Sequence, residues 1–285
     1  MSSTARLKAL SFAAAAALAL GSADAGALDK ARQDKALRIA YREDAPPFSF
    51  TDEAGLPAGF MIDLCGSVAK HIGEQLNIND LKIAYVLVTA ENRFDAIENG
   101  KADLLCEPSS ETLSRREHVD FSIPTFVDGA SLLVGGDAPG DFRALSGKKI
   151  GVLAGTTTEK SLRDTLASAG LVAEITPAKT HQEGLAMLDK GEIVAYFADR
   201  AILSYLASKS SDASKLRLAD NYFSLEPYAL ALPHGDEDFR LAVDRALSHI
   251  YRSGEIGVVF AHTFGNEMPP SDILKSLYSV SALPD

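Results

Sequence analysis

Between Asp103 and Pro124 the chain reads DLLCEPSSETLSRREHVDFSIP, a short apolar run that breaks into a hydroxyl-rich loop ahead of two arginines. Ser109 and Ser110 in the loop, with Arg115 beyond them, predict a cradle for a carboxylate: free N–H groups at a helix start, hydroxyls beside them and a planar guanidinium one turn in. The same residues also describe an ordinary capped helix with Arg115 and Arg116 on its solvated face, because Ser and Thr precede helices in many settings. Deciding between the two requires the elements on either side.

The chain opens with a segment that reads as a leader rather than as part of the fold. Arg6 and Lys8 precede an apolar run from Ala9 to about Leu20, followed by small residues in the order Ala23-Asp24-Ala25 or Ala25-Gly26-Ala27. That order predicts a secretory signal over residues 1–27, and the run is too short to span a bilayer. Cleavage near Ala27 leaves 285 less 27, or 258, residues as an exported chain, with the periplasm its expected location. No cysteine sits at the cleavage region to take a lipid anchor, and no later apolar segment is long enough for a transmembrane helix. The formal charge of −11 becomes −12 when Arg6, Lys8 and Asp24 are removed. Such acidity argues against nucleic acid and anionic lipid as partners, although a pocket's field is set by its own groups. Cys65 and Cys106 are the only cysteines; an even count in an oxidising compartment predicts a disulfide, with two buried free thiols as the alternative. So few thiols and scattered histidines predict no metal site, and no cofactor motif is present.

Periodicity then alternates strands with helices. LRIAY (37–41) is a strand, FMIDLCGSVAKHIGEQL (60–76) a helix with Leu64, Val68 and Ile72 on one face, LKIAYVLV (81–88) a strand, NRFDAIENG (92–100) a short helix and ADLLC a third strand. This is the grammar of a layered α/β domain. After the bend GGDAPGD (135–141) a second cycle follows: KKIGVLAG, the capped helix TTTEKSLRDTLASAG, VAEITPA, THQEGLAMLDKG and IVAYFADRAILSYLAS. FSLEPYALALP returns to strand, and a long helical tail runs through EDFRLAVDRALSHIYRSGEIGVVFAHTFG. The expected architecture is two α/β lobes joined by two crossing strands. Lobe 1 takes 28–133 and 227–285, and lobe 2 takes 134–226.

The motifs IAYREDAPPFSF (39–50), GFMIDLC (59–65), the Asp103 to Pro124 segment, GKKIGVLAGTTTEKSL (147–162), AYFAD (195–199) and YRSGEIG (251–257) occur in order at family spacing. In these the chain resembles the periplasmic polar-amino-acid-binding proteins of ABC importers, solute-binding family 3, and looks most like the glutamate/aspartate-binding branch. The resemblance implies the type II periplasmic-binding-protein fold and a monomer that carries an amino acid to an inner-membrane permease. It implies that Arg115, with Ser109 and Ser110, grips the α-carboxylate, and that Thr156, Thr157 and Thr158 close on it from the second lobe. Asp199 takes the α-ammonium, Phe48 lines the cleft, and Arg42 and His181 reach the ligand's side chain.

One departure bears on the ligand. Where such proteins commonly have a glycine and a small residue after the third strand, this chain has Glu107 and Pro108. Pro108 removes an N–H donor, and Glu107 near the cleft repels a dicarboxylate unless it points away or pairs with Arg42. Glutamine, a basic amino acid or a non-standard amino acid therefore stand beside glutamate. Two other classes remain: a dehydratase on the same scaffold, using Glu107, His181 and Asp199 as acid–base groups, and a sensory module that shows its closed form to a receptor.

Overall fold

A computed structural model of the protein describes residues 25–136, 141–267 and 269–284. The expected leader lies outside these residues except at its end, where Ala27 opens a helix, Ala27–Asp34. Ala27 is buried, and its amide donates to Asp236 Oδ2 at 2.7 Å. Residue 27 is thus tied into the fold, although the expected boundary assigned it to the leader.

Two five-stranded sheets carry the architecture. The first is ordered Lys82–Val88, Ala36–Arg42, Leu104–Leu105, Ala231–Pro233 and Val119–Phe121. Its first three strands are parallel, and Ala231–Pro233 runs antiparallel to its neighbours. The second repeats the plan with Glu174–Ala178, Lys149–Leu153, Ala195–Asp199, Ala130–Gly135 and Leu216–Leu218, again with three parallel strands. In each sheet the earliest parallel strand lies between the next two, so both of its edges are covered. The antiparallel pair Phe126–Asp128 and Glu226–Tyr228 forms the crossing, with Glu226 opposite Asp128. Because Ala130–Gly135 pairs with Ala195–Asp199, residues 130–133 belong to the second sheet and not, as expected, to lobe 1.

Local chemistry explains most element ends. Helix Phe60–Leu76 buries Leu64, Val68 and Ile72, spaced one turn apart, against the first sheet. It starts at Gly59, whose φ of +116° and close approach exclude a side chain: a Cβ there would lie 2.5 Å from the Phe48 carbonyl oxygen. Helix Thr157–Ala169 is capped by the Thr156 hydroxyl, which accepts from Glu159 N at 3.1 Å, and ends at left-handed Gly170. Thr180 caps His181–Asp189 in the same way. Cys65 on the first of these helices is disulfide-bonded to Cys106, just past the strand Leu104–Leu105.

Three expectations change. The segment carrying Arg115 forms only a three-residue 3-10 helix, Arg115–Glu117, with its first amide held by Thr112 Oγ1 rather than by a full helical turn. The single helical tail is two helices, Glu237–Ser253 and Glu255–Phe264, broken where Gly254 takes φ +81°. A further helix, Asp272–Ser281, follows with Ser271 as its cap. Among the described residues no helix is long and apolar enough to cross a membrane.

Candidate functional site

Ligands of open α/β sheets bind beyond the carboxyl ends of parallel strands. Here both sheets present those ends to one shared cavity. Arg42 ends the strand Ala36–Arg42, Arg93 follows Lys82–Val88, and Pro108 and Ser110 follow Leu104–Leu105. From the second sheet come Leu153 and Thr156 to Thr158 after Lys149–Leu153, His181 after Glu174–Ala178, and Asp199 with Ile202 at the end of Ala195–Asp199. Arg115 completes the lining.

One wall is cationic. Arg42 is 3% exposed; its Nε donates to Asp44 Oδ1 at 2.8 Å, and its Nη1 lies 3.5 Å from Glu107 Oε2. Arg93, also 3% exposed, has Nε 3.4 Å from Glu107 Oε1, yet neither its Nε nor its Nη1 makes a hydrogen bond. The Arg93 and Arg115 guanidiniums both sit 4.8 Å from the centre of the Phe94 ring, a cation–π arrangement that fixes their planes. Arg115 Nη1 donates to the Ser110 carbonyl at 2.6 Å. Burial lowers the pKa of Arg93 to about 10 and that of Arg115 in the same direction, while nearby Glu107 opposes both shifts. Arg93 remains charged at neutral pH.

The facing wall is anionic. Glu226, on the crossing strand, accepts from Thr157 Oγ1 at 2.7 Å, from Ser224 Oγ at 2.8 Å and from Ser110 Oγ. Ser110 and Thr157, one from each side of the cavity, touch at 3.1 Å. Asp199 accepts from Thr158 Oγ1 at 3.3 Å. Burial, and then the charges of Glu226 and Asp128, push the Asp199 carboxyl up to about 8. Burial likewise raises Asp128 to about 6. A cation placed among these carboxylates removes the repulsion that keeps Asp199 protonated.

His181 lies at the floor of the second-sheet side. Its amide reaches Asp44 Oδ2 at 3.4 Å, and its Nδ1 is 3.1 Å from the Tyr196 hydroxyl. Gly184 permits that contact, since a Cβ there would fall 2.2 Å from the Tyr196 ring. Burial, reinforced by Arg42, holds the His181 pKa well below its ordinary value, so the imidazole is neutral.

Of the predicted ligand residues, Arg42, Ser110, Arg115, Thr156, Thr157, Thr158, His181 and Asp199 converge on the cavity. Thr156 spends its hydroxyl on the helix cap and on the Leu153 carbonyl at 2.8 Å. Phe48 does not line the cavity. It is fully buried in an aromatic cluster, 4.9 Å from Phe126 and 5.5 Å from Tyr228, because its neighbour Ser49 turns to bond Arg42 and Phe50 takes the outward position. Half-buried Phe50 instead meets Tyr205 across the cleft at 6.1 Å. Ser109 is also displaced: its hydroxyl donates to Glu107 and faces away from the cavity lining. The unforeseen member of the lining is Arg93, and Glu226, behind Ser110 and Thr157, is equally unforeseen. An arginine opening the helix that follows a parallel strand was the available signal for Arg93; Glu226 had none, because EPY reads as an ordinary strand. Glu107, the departure noted in the sequence, does pair with Arg42 and with Arg93 as well.

The arrangement offers a guanidinium wall for a carboxylate and a carboxylate wall for an ammonium within one buried space. Among the described residues no group of His, Cys, Asp and Glu is arranged to hold a metal ion.

Known proteins share this plan. The family described as bacterial extracellular solute-binding proteins, family 3, matches residues 37–266. An L-glutamate/L-aspartate-binding protein of Pseudomonas aeruginosa is 32% identical over 250 residues, covering 87% of this chain and 83% of its own. Among solved structures, an ancestral arginine-binding protein bound to glutamine is 27% identical with a TM-score of 0.72, covering 81% of this chain and 99% of its own. An ancestral amino-acid-binding protein that preceded cyclohexadienyl dehydratase is 26% identical with a TM-score of 0.72, covering 84% of this chain and all of its own. The family match over residues 37–266 and the 32% identical relative lead to one conclusion: this protein belongs to the bacterial extracellular solute-binding proteins, family 3.

Proposed function

We propose that the protein is the periplasmic substrate-binding component of an ABC importer, which takes a polar α-amino acid of the acidic or amide type between two lobes and delivers it to the membrane permease. The observation that carries this reading is that Arg115 and the Asp199 carboxyl line one cavity, with Glu226 held behind Ser110 and Thr157 and close enough to act on both. That spacing of charge suits a zwitterion, whose two ends need a planar donor and an acceptor-only partner. The names of the similar proteins support the same ligand class.

The lobes of this reading divide at the crossing pair Phe126–Asp128 and Glu226–Tyr228, with one sheet in each lobe. A ligand that touches Arg115 from one side and Asp199 from the other stabilises the closed arrangement by its contacts to both, so closure follows as a population shift. The monomer then presents that form to the permease. A thermal-shift series over amino acids tests the reading, since stabilisation by RT ln(1 + [L]/Kd) ranks ligands. Failure of every α-amino acid to raise the transition would overturn it.

A second reading has one observation in its favour: a carboxyl held near pKa 8, as Asp199 is, suits proton transfer. Mass spectrometry after incubation separates the two. Ligand recovered with unchanged mass supports binding alone, and loss of water supports the dehydratase.

A further inference from the structure

Two arginines of the cavity lining, Arg42 and Arg93, are already paired with carboxylates from within the protein. Glu107 is fully buried behind them, outside the cavity lining, with one carboxylate oxygen 3.5 Å from Arg42 Nη1 and the other 3.4 Å from Arg93 Nε. The Ser109 hydroxyl donates to it, which fixes its position. Asp44 supplies a second counter-charge, accepting from Arg42 Nε at 2.8 Å. Arg42 and Arg93 are thus matched by two carboxylates, Glu107 and Asp44, while Arg115 beyond the Phe94 ring is the guanidinium left for a ligand's charge.

Hydrogen-bonding capacity is a different matter. Arg93 Nε and Nη1 are buried donors without a hydrogen bond, on a residue that lines the cavity. Buried donors left unpaired are costly, so the corner is built to receive an acceptor without receiving a charge.

We infer that Glu107 acts as a resident substitute for a ligand's distal carboxylate and so selects an amino acid whose side chain ends in an uncharged acceptor, a carboxamide above all; this rests on the amino-acid reading given above. A carboxamide oxygen satisfies the Arg93 donors while adding no charge. A distal carboxylate would meet the same donors but face the fields of Glu107 and Asp44. A cationic side chain would meet two guanidiniums with no free counter-charge. His181 fits the same partner, because a neutral imidazole can donate or accept opposite an amide group.

The test is isothermal titration of the intact mature protein with L-glutamine, L-asparagine, L-glutamate and L-aspartate, repeated on Glu107→Gln. In the wild type the carboxamide should bind at least about tenfold more tightly than the matching carboxylate. Glu107→Gln keeps the shape and removes the charge, so the ratio should move at least about tenfold toward the carboxylate. Asp44→Asn should move it in the same direction and provides the comparison if Glu107→Gln does not fold. If both variants fail to fold, the wild-type ratio decides. A wild type that prefers the carboxylate, or ratios unmoved in both variants, overturns the inference and leaves the proposed function standing. Binding only to an amino acid of another class also overturns it. Absence of binding by any α-amino acid overturns both.

Discussion

Replacing both cysteines by alanine should destabilise the protein by an amount that the fold itself sets. Cys65 and Cys106 close a loop of 41 residues. The chain-entropy relation for a loop of that length gives about 4 kcal/mol, drawn from the unfolded state. In a chain of this size each kcal/mol moves the melting midpoint by about 2–4 °C, so the midpoint should fall by about 8–16 °C. Alanine is the right replacement because both positions are fully buried and a serine hydroxyl there would add its own unsatisfied group. Urea unfolding at equilibrium gives the quantity directly, with the midpoint reporting stability and the slope reporting exposed surface. The cross-linked unfolded chain is more compact, so the variant should also show a steeper slope. A double variant within about 1 kcal/mol of wild type, with an unchanged slope, would refute the reasoning. In that case the bond would constrain neither state.

Further expectations are checked more briefly. Arg115→Ala should weaken the best amino-acid ligand by at least about thirtyfold, since truncating one side of a buried charge pair costs about 2–5 kcal/mol; titration at constant pH reads it, and an unchanged Kd would remove Arg115 from the grip. Asp199 has a folded-state pKa near 8, above its ordinary 3.8, so between these values the folded chain holds a proton that the unfolded chain has released. The sign follows: without ligand, stability falls as pH rises from 6.5 to 8, by up to about 1.4 kcal/mol per pH unit, and Asp199→Asn flattens that slope. Melting curves over this window check it, and a wild type that gains stability relative to Asp199→Asn as pH rises contradicts it. Binding of a ligand ammonium beside Asp199 should release a proton near pH 7, visible as a dependence of the titration enthalpy on the buffer's ionisation enthalpy. Finally, because Ala27 is buried and bonded to Asp236, processing should occur at the upstream small-residue site and leave Gly26 first. Intact mass of the exported chain decides this, with Leu28 as the contrary result.

The sheets and most of the site were legible because their signals are local. Thr156 and Gly170 mark both ends of a helix by their own chemistry, and Asp199 stands where a buried strand gives way to a helix. Arg115 was readable as a gripping residue but not as part of a 3-10 turn, because the turn is held by Thr112 and by the return of the chain to Pro227. What escaped depended on contacts distant in sequence. Arg93 is buried by Glu107, fourteen positions away, and by the packing of Phe94 between two guanidiniums. Glu226 gains its place from Ser110 and Thr157, at separations of 116 and 69 residues. Phe48 and Phe50 stand two apart, a spacing that on a regular strand puts both on one face; only Phe50 lies within the strand Ser49–Thr51, and Phe48, just ahead of it, turns into the aromatic cluster.

Glu226 bears on the rate of capture. It lies on the strand paired with Phe126–Asp128 and is bonded to Ser110 from the first-sheet side and Thr157 from the second, so the lobe opening of the proposed function must release at least one of those bonds. Hydrogen bonds to a charged group are worth about 1.5–3 kcal/mol each, which makes parting an activated step that precedes any encounter with solute. At high solute concentration the rate of loading would then level off at the rate of parting, and the joint would set the pace of capture. The strength of the grip would be felt chiefly in how long the solute stays.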